Sequence, residues 1–328
     1  MTITRRRVLG IAVAAASAPL LVSCASDRPP PPGRPTAAGP SDRPRPVRSP
    51  LFSGEPEPGN LYFGASVPYY RSLPSWESAL GERLAVNRSY FDPDETSGLV
   101  AEARNDLRNR RLPHLSIKPP GTWADVAGGR LDHWLTDMLT GLGKERSPVF
   151  LTINLEPEND SGSMGMGPQD FVAMQRRAIR LAGEIAPHVT VVPVLQQWTF
   201  DPGRVGTDPA GWVVPEAEVF GLDVYNPWSP SNGKAWRSLG SKVDEVAPWV
   251  GGKPIVIGEY GCRVDPAHPG RTSAWLRDAV EYARAHRVVS MSYYNSRLNA
   301  PDGSWELTGE SELEFRRLLA APWVARLA

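Results

Sequence analysis

The chain has 328 residues, of which 41% are hydrophobic, so it can bury a sizeable core and is not disordered as a whole. Its 36 basic and 36 acidic residues cancel, but eight arginines and only two acidic residues fall within residues 1–50. Residues 51–328 therefore carry a net charge of −6, which does not match the basic surface of a nucleic-acid-binding protein. Two cysteines are too few for a disulfide framework or a multi-cysteine zinc site.

Residues 1–24 show the order of features found in a bacterial export signal. Three consecutive arginines within residues 4–9 resemble the twin-arginine motif, and the apolar run that follows is shorter than the about 20 residues of a membrane-spanning helix. The run leads into Leu-Val-Ser-Cys at 21–24, which resembles a lipobox with Cys24 as the lipidated residue. The resemblance implies passage through the twin-arginine export machinery and a lipid anchor at the outer face of the cell membrane. An ordinary signal peptide and an uncleaved anchor are the alternatives.

Residues 25–58 predict a disordered tether rich in proline and arginine. Nine prolines and five arginines lie within residues 28–50, which are almost free of apolar side chains and cannot form a core. Such a segment favours an extended, partly polyproline II chain of about 3.1 Å per residue. We expect it to act as a spacer whose arginines contact anionic lipid, or as a passive linker.

Residues 59–328 predict one α/β domain. Eight short apolar runs bounded by turn signals predict strands over 61–66, 84–89, 114–118, 149–156, 189–198, 219–226, 254–259 and 288–295. Segments of helical periodicity separate them, most clearly 168–186 and 272–286. This alternation predicts a single (β/α)8 TIM barrel behind the signal and the tether. A doubly wound sheet is the alternative, but no glycine-rich fingerprint follows the first strand.

Two predicted strands end in glutamate, Glu156 on the fourth and Glu259 on the seventh. A glutamate at the end of a buried strand is costly unless it is solvated, paired or catalytic. The carboxyl ends of all strands meet at one face of a barrel, and strands four and seven lie across that face from each other. We therefore expect the two side chains to approach each other at the mouth of the barrel.

These two strand ends resemble the motifs of the retaining clan A (β/α)8 glycoside hydrolases. The motifs are Leu-Glu-Pro at 155–157 and Glu-Tyr-Gly at 259–261, and the segment Phe-Gly-Leu-Asp-Val-Tyr-Asn at 220–226 looks most like the sixth strand of family 26, the β-mannanase-type enzymes. The resemblance covers residues 60–320 or so. It implies cleavage of a β-linked, mannan-like polysaccharide by double displacement, with Glu259 as nucleophile, Glu156 as acid/base and no cofactor.

One position departs from that pattern. The residue before the acid/base is usually Asn or His, whereas here it is Leu155, which cannot form a side-chain hydrogen bond. Asn154 and Asn159 are candidates to replace it, although strand alternation points Asn154 deeper into the barrel. A barrel that binds carbohydrate without cleaving it is therefore the alternative function, and Glu158 or Asp160 is the alternative acid.

Further residues near the strand ends are candidates for the site. Tyr225 and Arg88 are expected to contact Glu259 and keep it ionised, and Asp223 to contact substrate or orient a neighbour; the alternatives are packing and ion pairing inside the barrel. The remaining candidate substrate-binding residues are Trp123, Trp198 and Trp228, as platforms for sugar rings, and Lys118, Asn159 and Tyr294. No metal-binding or nucleotide-binding motif is present in the sequence.

Overall fold

The computed structural model describes residues 49–204, 208–298, 300 and 302–328. The predicted signal with Cys24, and the tether up to residue 48, lie outside these residues. In the described part of the chain nine strands form one sheet, all paired in parallel, in the order β5-β4-β3-β2-β1-β9-β8-β7-β6. The strands are β1 (Tyr62–Ser66), β2 (Val86–Phe91), β3 (Leu112–Ile117), β4 (Val149–Ile153), β5 (Val189–Val191), β6 (Val194–Gln196), β7 (Phe220–Tyr225), β8 (Ile255–Gly261) and β9 (Val288–Tyr294).

The two ends of this strand order, β5 and β6, are halves of the single strand predicted over 189–198. Pro193 lies between them and has no N–H to donate to a neighbouring strand. The preceding residue, Val192, still donates its N–H to the carbonyl of Leu151 at 2.8 Å. Because β5 pairs with β4 and β6 pairs with β7, this bent strand closes the sheet into an eight-position barrel. The predicted (β/α)8 fold is thus confirmed.

Helices surround the barrel. They are α1 (Leu73–Leu80), α2 (Thr96–Arg108), α3 (Trp123–Ala127), α4 (Asp132–Gly143), α5 (Pro168–Ile185), α6 (Leu239–Val243), α7 (Ala247–Val250), α8 (Gly270–Ala285) and α9 (Glu310–Leu319). The predicted helices over 168–186 and 272–286 correspond to α5 and α8. Pro168 begins α5, where the missing N–H costs nothing. Among the described residues, none of the helices combines the length and the apolar character needed to cross a membrane.

The bottom of the barrel is closed by an apolar cluster at the amino ends of the strands. Its side chains include Tyr62, Phe150 and Val256 from the strands and Leu327 from the chain end. Phe52 joins the same cluster, is 4% exposed, and has its ring centroid 5.7 Å from that of Phe150. Packing of the chain on the barrel therefore begins ahead of residue 59, the position at which the sequence placed the domain boundary. This apolar lower half leaves the opposite end of the barrel for the polar side chains.

Candidate active site

A cavity of about 1030 Å³ opens at the carboxyl ends of the strands. Its walls include Tyr90, Glu156, Tyr225, Glu259 and Tyr294, which come from five different strand ends. Pockets that bind small molecules measure about 300–1000 Å³, so this cavity is large for a single sugar ring. The face that the barrel geometry predicts for catalysis is the face that carries the cavity.

Glu259 lies near the end of β8 and is buried, yet both of its carboxylate oxygens are engaged. Tyr90 donates its hydroxyl to Oε1 at 2.6 Å, and Tyr225 donates its hydroxyl to Oε2 at 2.5 Å. Arg88 Nε lies 3.8 Å from Oε1. Burial and the nearby Glu259 carboxylate raise the pKa of both tyrosines well above their usual range, so the hydroxyls stay protonated and donate. Two donors and one cation fix this carboxylate in place.

Arg88 is itself held from below. Its Nη1 donates to Nε2 of His114 at 2.5 Å, and both side chains are fully buried. Burial and the Arg88 charge hold the pKa of His114 well below its usual range, so the imidazole is neutral. Because an arginine can only donate, Nε2 of His114 accepts from Arg88, and the same nitrogen lies 3.0 Å from Oγ1 of Thr152. The neutral His114 thus orients the Arg88 guanidinium without neutralising it, so the positive charge of Arg88 still acts on Glu259.

Asp223 lies on β7, two residues before Tyr225, and points into the same layer of the barrel. Burial, together with the Glu259 carboxylate, raises the pKa of Asp223 well above its usual range, while Arg88 opposes this rise. Neither carboxyl oxygen of Asp223 has a hydrogen-bond partner among the described residues. Its role as a substrate contact or an orienting group stays a prediction.

Glu156 follows β4, which ends three residues earlier at Ile153. The backbone has positive φ at Asn154 (57°) and at Glu156 (45°), a region that non-glycine residues seldom occupy and that recurs at active sites. The N–H of Glu156 donates to the carbonyl of Val194 at 3.0 Å, which ties the turn to the neighbouring strand. This turn directs the Glu156 side chain into the cavity.

The pKa of Glu156 is raised to about 7 by burial first, and then by the Glu259 and Glu158 carboxylates. Asn159 donates Nδ2 to its Oε2 at 3.0 Å. Asn154, in contrast, accepts from the indole of Trp123 and donates to Asp160, because its positive φ turns it away from the cavity. The sequence offered Asn154 and Asn159 as replacements for the hydrogen-bonding residue missing at position 155. Of these two, Asn159 is the one that contacts Glu156.

One carboxylate oxygen from each of Glu156, Asp223 and Glu259 lies within 4.8 Å of the other two. Oxygen donors of this kind are also those that hard cations prefer. Here, however, the guanidinium of Arg88 already places a positive charge beside the group. The arrangement brings a raised-pKa acid and a doubly hydrogen-bonded carboxylate to the same point of the cavity.

The two alternative acids lie outside the cavity. Glu158 accepts from the N–H of Gln196 at 3.0 Å and from the hydroxyl of Thr199 at 2.7 Å, which fixes it to the fifth strand position. Asp160 accepts from Lys118 Nζ at 2.9 Å. Lys118 itself is exposed and pairs with Asp160 at the rim. Glu158, Asp160 and Lys118 therefore brace the turn that carries Glu156.

The three predicted aromatic platforms do not line the cavity. Trp123 is fully buried against Phe171 and Trp212, so it has no face for a sugar ring. The ring of Trp198 is covered by the Arg204 guanidinium at 3.5 Å. The ring of Trp228 packs against Trp236 with centroids 5.2 Å apart. Position after a strand end predicted a platform, but the path of each loop decided otherwise.

Other residues of the site were not singled out in the sequence. Tyr90 hydrogen-bonds Glu259, and it could have been found because it lies two residues after Arg88 and so shares its face of β2. Trp305 lines the cavity and packs on Tyr225 with ring centroids 4.7 Å apart. Trp305 lies in the segment after β9, where no local sequence pattern indicates that its side chain reaches the cavity. Tyr294, which was predicted, lines the cavity beside it.

No protein-family model matches the sequence, and neither does any curated protein. Solved structures do match. An exo-β-1,4-mannosidase from Opitutaceae bacterium strain TAV5 has a TM-score of 0.57 at 14% identity, over 79% of this chain and 59% of that one. An endo-β-1,4-glucanase variant from Xanthomonas axonopodis pv. citri has a TM-score of 0.54 at 12% identity, over 78% and 99%. A β-glycosidase from Pyrococcus horikoshii has a TM-score of 0.52 at 10% identity, over 82% and 95%.

At these identities the likeness concerns the fold. The chain has the (β/α)8 barrel shared by these glycosidases. The fold implied by the resemblance to clan A glycoside hydrolases is therefore confirmed. The chain spans about three fifths of the length of the Opitutaceae enzyme.

Proposed function

We propose that this protein is a retaining glycoside hydrolase that cleaves a β-linked glycan, with Glu259 as nucleophile and Glu156 as acid/base. The observation that carries the proposal is the proximity of the two carboxylates, since one oxygen of Glu259 lies within 4.8 Å of one oxygen of Glu156. Carboxyl groups of retaining glycosidases are about 5–5.5 Å apart, whereas inverting enzymes need about 6.5–9.5 Å to admit a water molecule. The spacing favours direct attack by one carboxylate over activation of water.

In the first step Glu259 attacks the anomeric carbon while Glu156 gives its proton to the glycosidic oxygen. The carbon–oxygen bond to the leaving sugar breaks, and a glycosyl ester forms on Glu259. A pKa of about 7 keeps the proton on Glu156 available near neutral pH. The hydroxyls of Tyr90 and Tyr225 and the charge of Arg88 hold the attacking carboxylate in one orientation.

In the second step Glu156 takes a proton from water, which attacks the same carbon and releases Glu259. The Glu259 charge is one of the causes that raise the pKa of Glu156. Once Glu259 has become an ester, that charge is gone, so the pKa of Glu156 falls and the carboxylate form becomes available as base. The change from acid to base thus follows from the chemistry of the neighbouring group.

A β-1,4-linked, mannan-like polysaccharide is the substrate class that we propose. Two of the matched structures are described as enzymes of β-1,4 bonds, one a mannosidase and one a glucanase. The resemblance of residues 220–226 to family 26 favours mannan between these two. The cavity of about 1030 Å³ has room for several sugar units.

The decisive experiment is a hydrolysis panel of β-mannan, β-glucan and xylan with wild type, Glu259→Gln and Glu184→Gln. Wild type is expected to release reducing ends, Glu259→Gln to lose on the order of 10⁴-fold in rate, and Glu184→Gln to remain active because that side chain is exposed on α5 and does not line the cavity. A 2-deoxy-2-fluoroglycosyl fluoride of the hydrolysed sugar should label the peptide that contains Glu259. Products of inverted configuration, or full activity in Glu259→Gln, would refute the proposal.

A carbohydrate-binding barrel without catalysis is the second candidate. Leu155 favours it, because it lines the cavity where the resembling enzymes have a hydrogen-bonding side chain. Calorimetric binding of the same glycans without release of reducing ends from any of them would support this candidate.

We further propose export and lipid anchoring on the strength of the sequence motifs in residues 1–24. Wild type should be recovered with the membrane fraction and incorporate labelled fatty acid, whereas Cys24→Ser should do neither. Replacement of Arg5 and Arg6 by lysine should retain the precursor in the cytoplasm. Membrane recovery of Cys24→Ser would contradict the anchor.

A further inference from the structure

The rim of the cavity carries an unusual amount of exposed apolar surface. In the described ranges six large hydrophobic side chains are exposed, and three of them, Tyr69, Tyr90 and Leu298, line this one cavity. Tyr90 is explained by its hydrogen bond to Glu259. Tyr69 has no such role, and it is 88% exposed. Exposed apolar side chains gathered at a single cleft mark a ligand-binding surface.

The loop that carries Tyr69 is anchored by its neighbour. The hydroxyl of Tyr70 accepts from the N–H of Arg297 at 2.9 Å, and the Arg297 guanidinium lies 4.6 Å from the Tyr70 ring centroid. These contacts join the loop after β1 to the segment after β9. Tyr69 meets the Tyr70 ring at 83° with centroids 5.6 Å apart, and most of its own surface stays open. The ring is thus presented from a fixed loop without being covered by it.

The position of β1 in the barrel, relative to the strands that carry Glu156 and Glu259, indicates on which side of the scissile bond Tyr69 lies. Its strand, β1, is separated from the β8 of Glu259 by one strand, and from β4, which leads to Glu156, by two. Glu156 protonates the leaving sugar, so the leaving group lies toward β4, and the sugar attacked by Glu259 lies on the other side. Ser66, Val67 and Pro68 line the cavity continuously between Tyr69 and the end of β1. A chain extended away from the leaving group therefore runs toward Tyr69.

We infer that Tyr69 is a stacking platform for a sugar ring on the non-reducing side, at least one unit beyond the sugar that Glu259 attacks, with Leu298 extending the apolar surface. A pyranose presents a face of C–H groups, which packs on an aromatic ring, and a tyrosine adds little conformational entropy cost. The inference rests on the proposed function and refines it. The protein would take β-linked chains extended on this side in preference to glycosides of a single sugar.

Binding tests the platform separately from catalysis. Calorimetry measures the binding of β-1,4-linked mannopentaose and cellopentaose to the Glu259→Gln protein. The same protein is then measured with the added change Tyr69→Phe or Tyr69→Ala. Loss of one stacking contact should weaken binding of the pentasaccharide that binds best by about tenfold in Tyr69→Ala, while Tyr69→Phe stays within about twofold. Leu313→Ala is the matched control, because it removes an exposed apolar side chain outside the cavity. Its binding should equal that of the Glu259→Gln protein.

Kinetics gives the second arm. With active enzyme, Tyr69→Ala should lower kcat/KM by about tenfold for a p-nitrophenyl β-pentasaccharide and leave the p-nitrophenyl monosaccharide unchanged. Equal losses on both substrates, or unchanged pentasaccharide binding in Tyr69→Ala, would overturn the platform. If no glycan is hydrolysed but pentasaccharide binding still depends on Tyr69, the hydrolase proposal fails, the assignment of Tyr69 to the non-reducing side fails with it, and only a sugar-stacking role for Tyr69 stands. If Glu259 proves essential but Tyr69→Ala binds normally, the reverse holds.

Discussion

Gly258 and Asp223 approach each other so closely that a side chain at position 258 would collide with the acid. A Cβ placed on Gly258 would lie 2.7 Å from Oδ1 of Asp223 and 3.2 Å from Cζ of Arg88. Gly258 immediately precedes Glu259 in β8, so the missing side chain leaves the space in which Asp223 and Arg88 pack beside Glu259. The glycine before the glutamate is therefore a requirement of packing across the barrel.

Gly258→Ala is accordingly expected to disturb both stability and activity. Overpacking of this kind costs about 1–3 kcal/mol in the free energy of unfolding, and displacement of Arg88 should lower kcat/KM at least about tenfold. Gly183→Ala in α5 is the control, because no atom lies within 4 Å of the new Cβ. That change should stabilise the helix by about 0.5–1 kcal/mol. Urea unfolding and kinetics measure both; a Gly258→Ala protein as stable and active as wild type would contradict the packing argument.

Tyr225→Phe removes the donor to Oε2 of Glu259 while keeping the ring that packs on Trp305. A hydrogen bond to a charged group contributes about 1.5–3 kcal/mol, so kcat/KM is expected to fall by roughly 10–100-fold. Tyr282→Phe is the control, since its hydroxyl donates to Asp244 at 2.6 Å at the surface, and activity should not change. Equal activities of the two variants would show that the hydrogen bond from Tyr225 to Glu259 does not contribute to catalysis.

The pH dependence should reflect the raised pKa of Glu156. Because its pKa is about 7, the proton donor is present below this pH and is lost above it. The value of kcat/KM should therefore fall on the alkaline side, with a midpoint near pH 7 and a limiting slope of about tenfold per pH unit. Glu156→Gln should lower the rate by about 10²–10⁴-fold and abolish this limb. An alkaline limb that persists unchanged in Glu156→Gln would belong to another group.

The same shift couples Glu156 to stability. Its pKa rises from an ordinary 4.5 to about 7 on folding, so the folded state binds more protons than the unfolded state between these values. The stabilising contribution is complete below pH 4.5 and is lost as the pH rises through 7. Glu156→Gln has no such titration, so its Tm relative to wild type should increase from pH 4 to pH 8. A constant difference in Tm across this range would contradict the shift.

Trp123 is expected to act through stability. Its ring is fully buried and its indole donates to Asn154 at 3.0 Å. Trp123→Ala should reduce the free energy of unfolding by about 3–5 kcal/mol. Trp305→Ala is the comparison, because that ring is also buried, at 7% exposed, but lines the cavity, so its loss should both lower the free energy of unfolding and raise KM or the dissociation constant of an oligosaccharide. Normal stability with weakened glycan binding in Trp123→Ala would restore the platform role predicted from sequence.

The sequence by itself determined the barrel and the two glutamates. Period-two alternation separates lumen from helix-facing side chains, and turn residues bound each strand, so the strands, α5 and α8 were all predictable. Parallel strands in a barrel present their carboxyl ends on one face, which is why Glu156 and Glu259 could be expected to meet. Asp223 and Tyr225 followed from the same alternation on β7.

What the tertiary structure decided concerns the segments where this alternation stops. Positive φ at Asn154 turns that side chain from the cavity to Trp123, and Asn159 contacts Glu156 instead. Packing of α3 buries Trp123 against Phe171, and the segment after β9 brings Trp305 to the cavity wall, although nothing in their local sequence distinguishes the two roles. The physical reason is that strand patterning depends on neighbouring residues, whereas the course of a loop depends on contacts with residues far away in the chain.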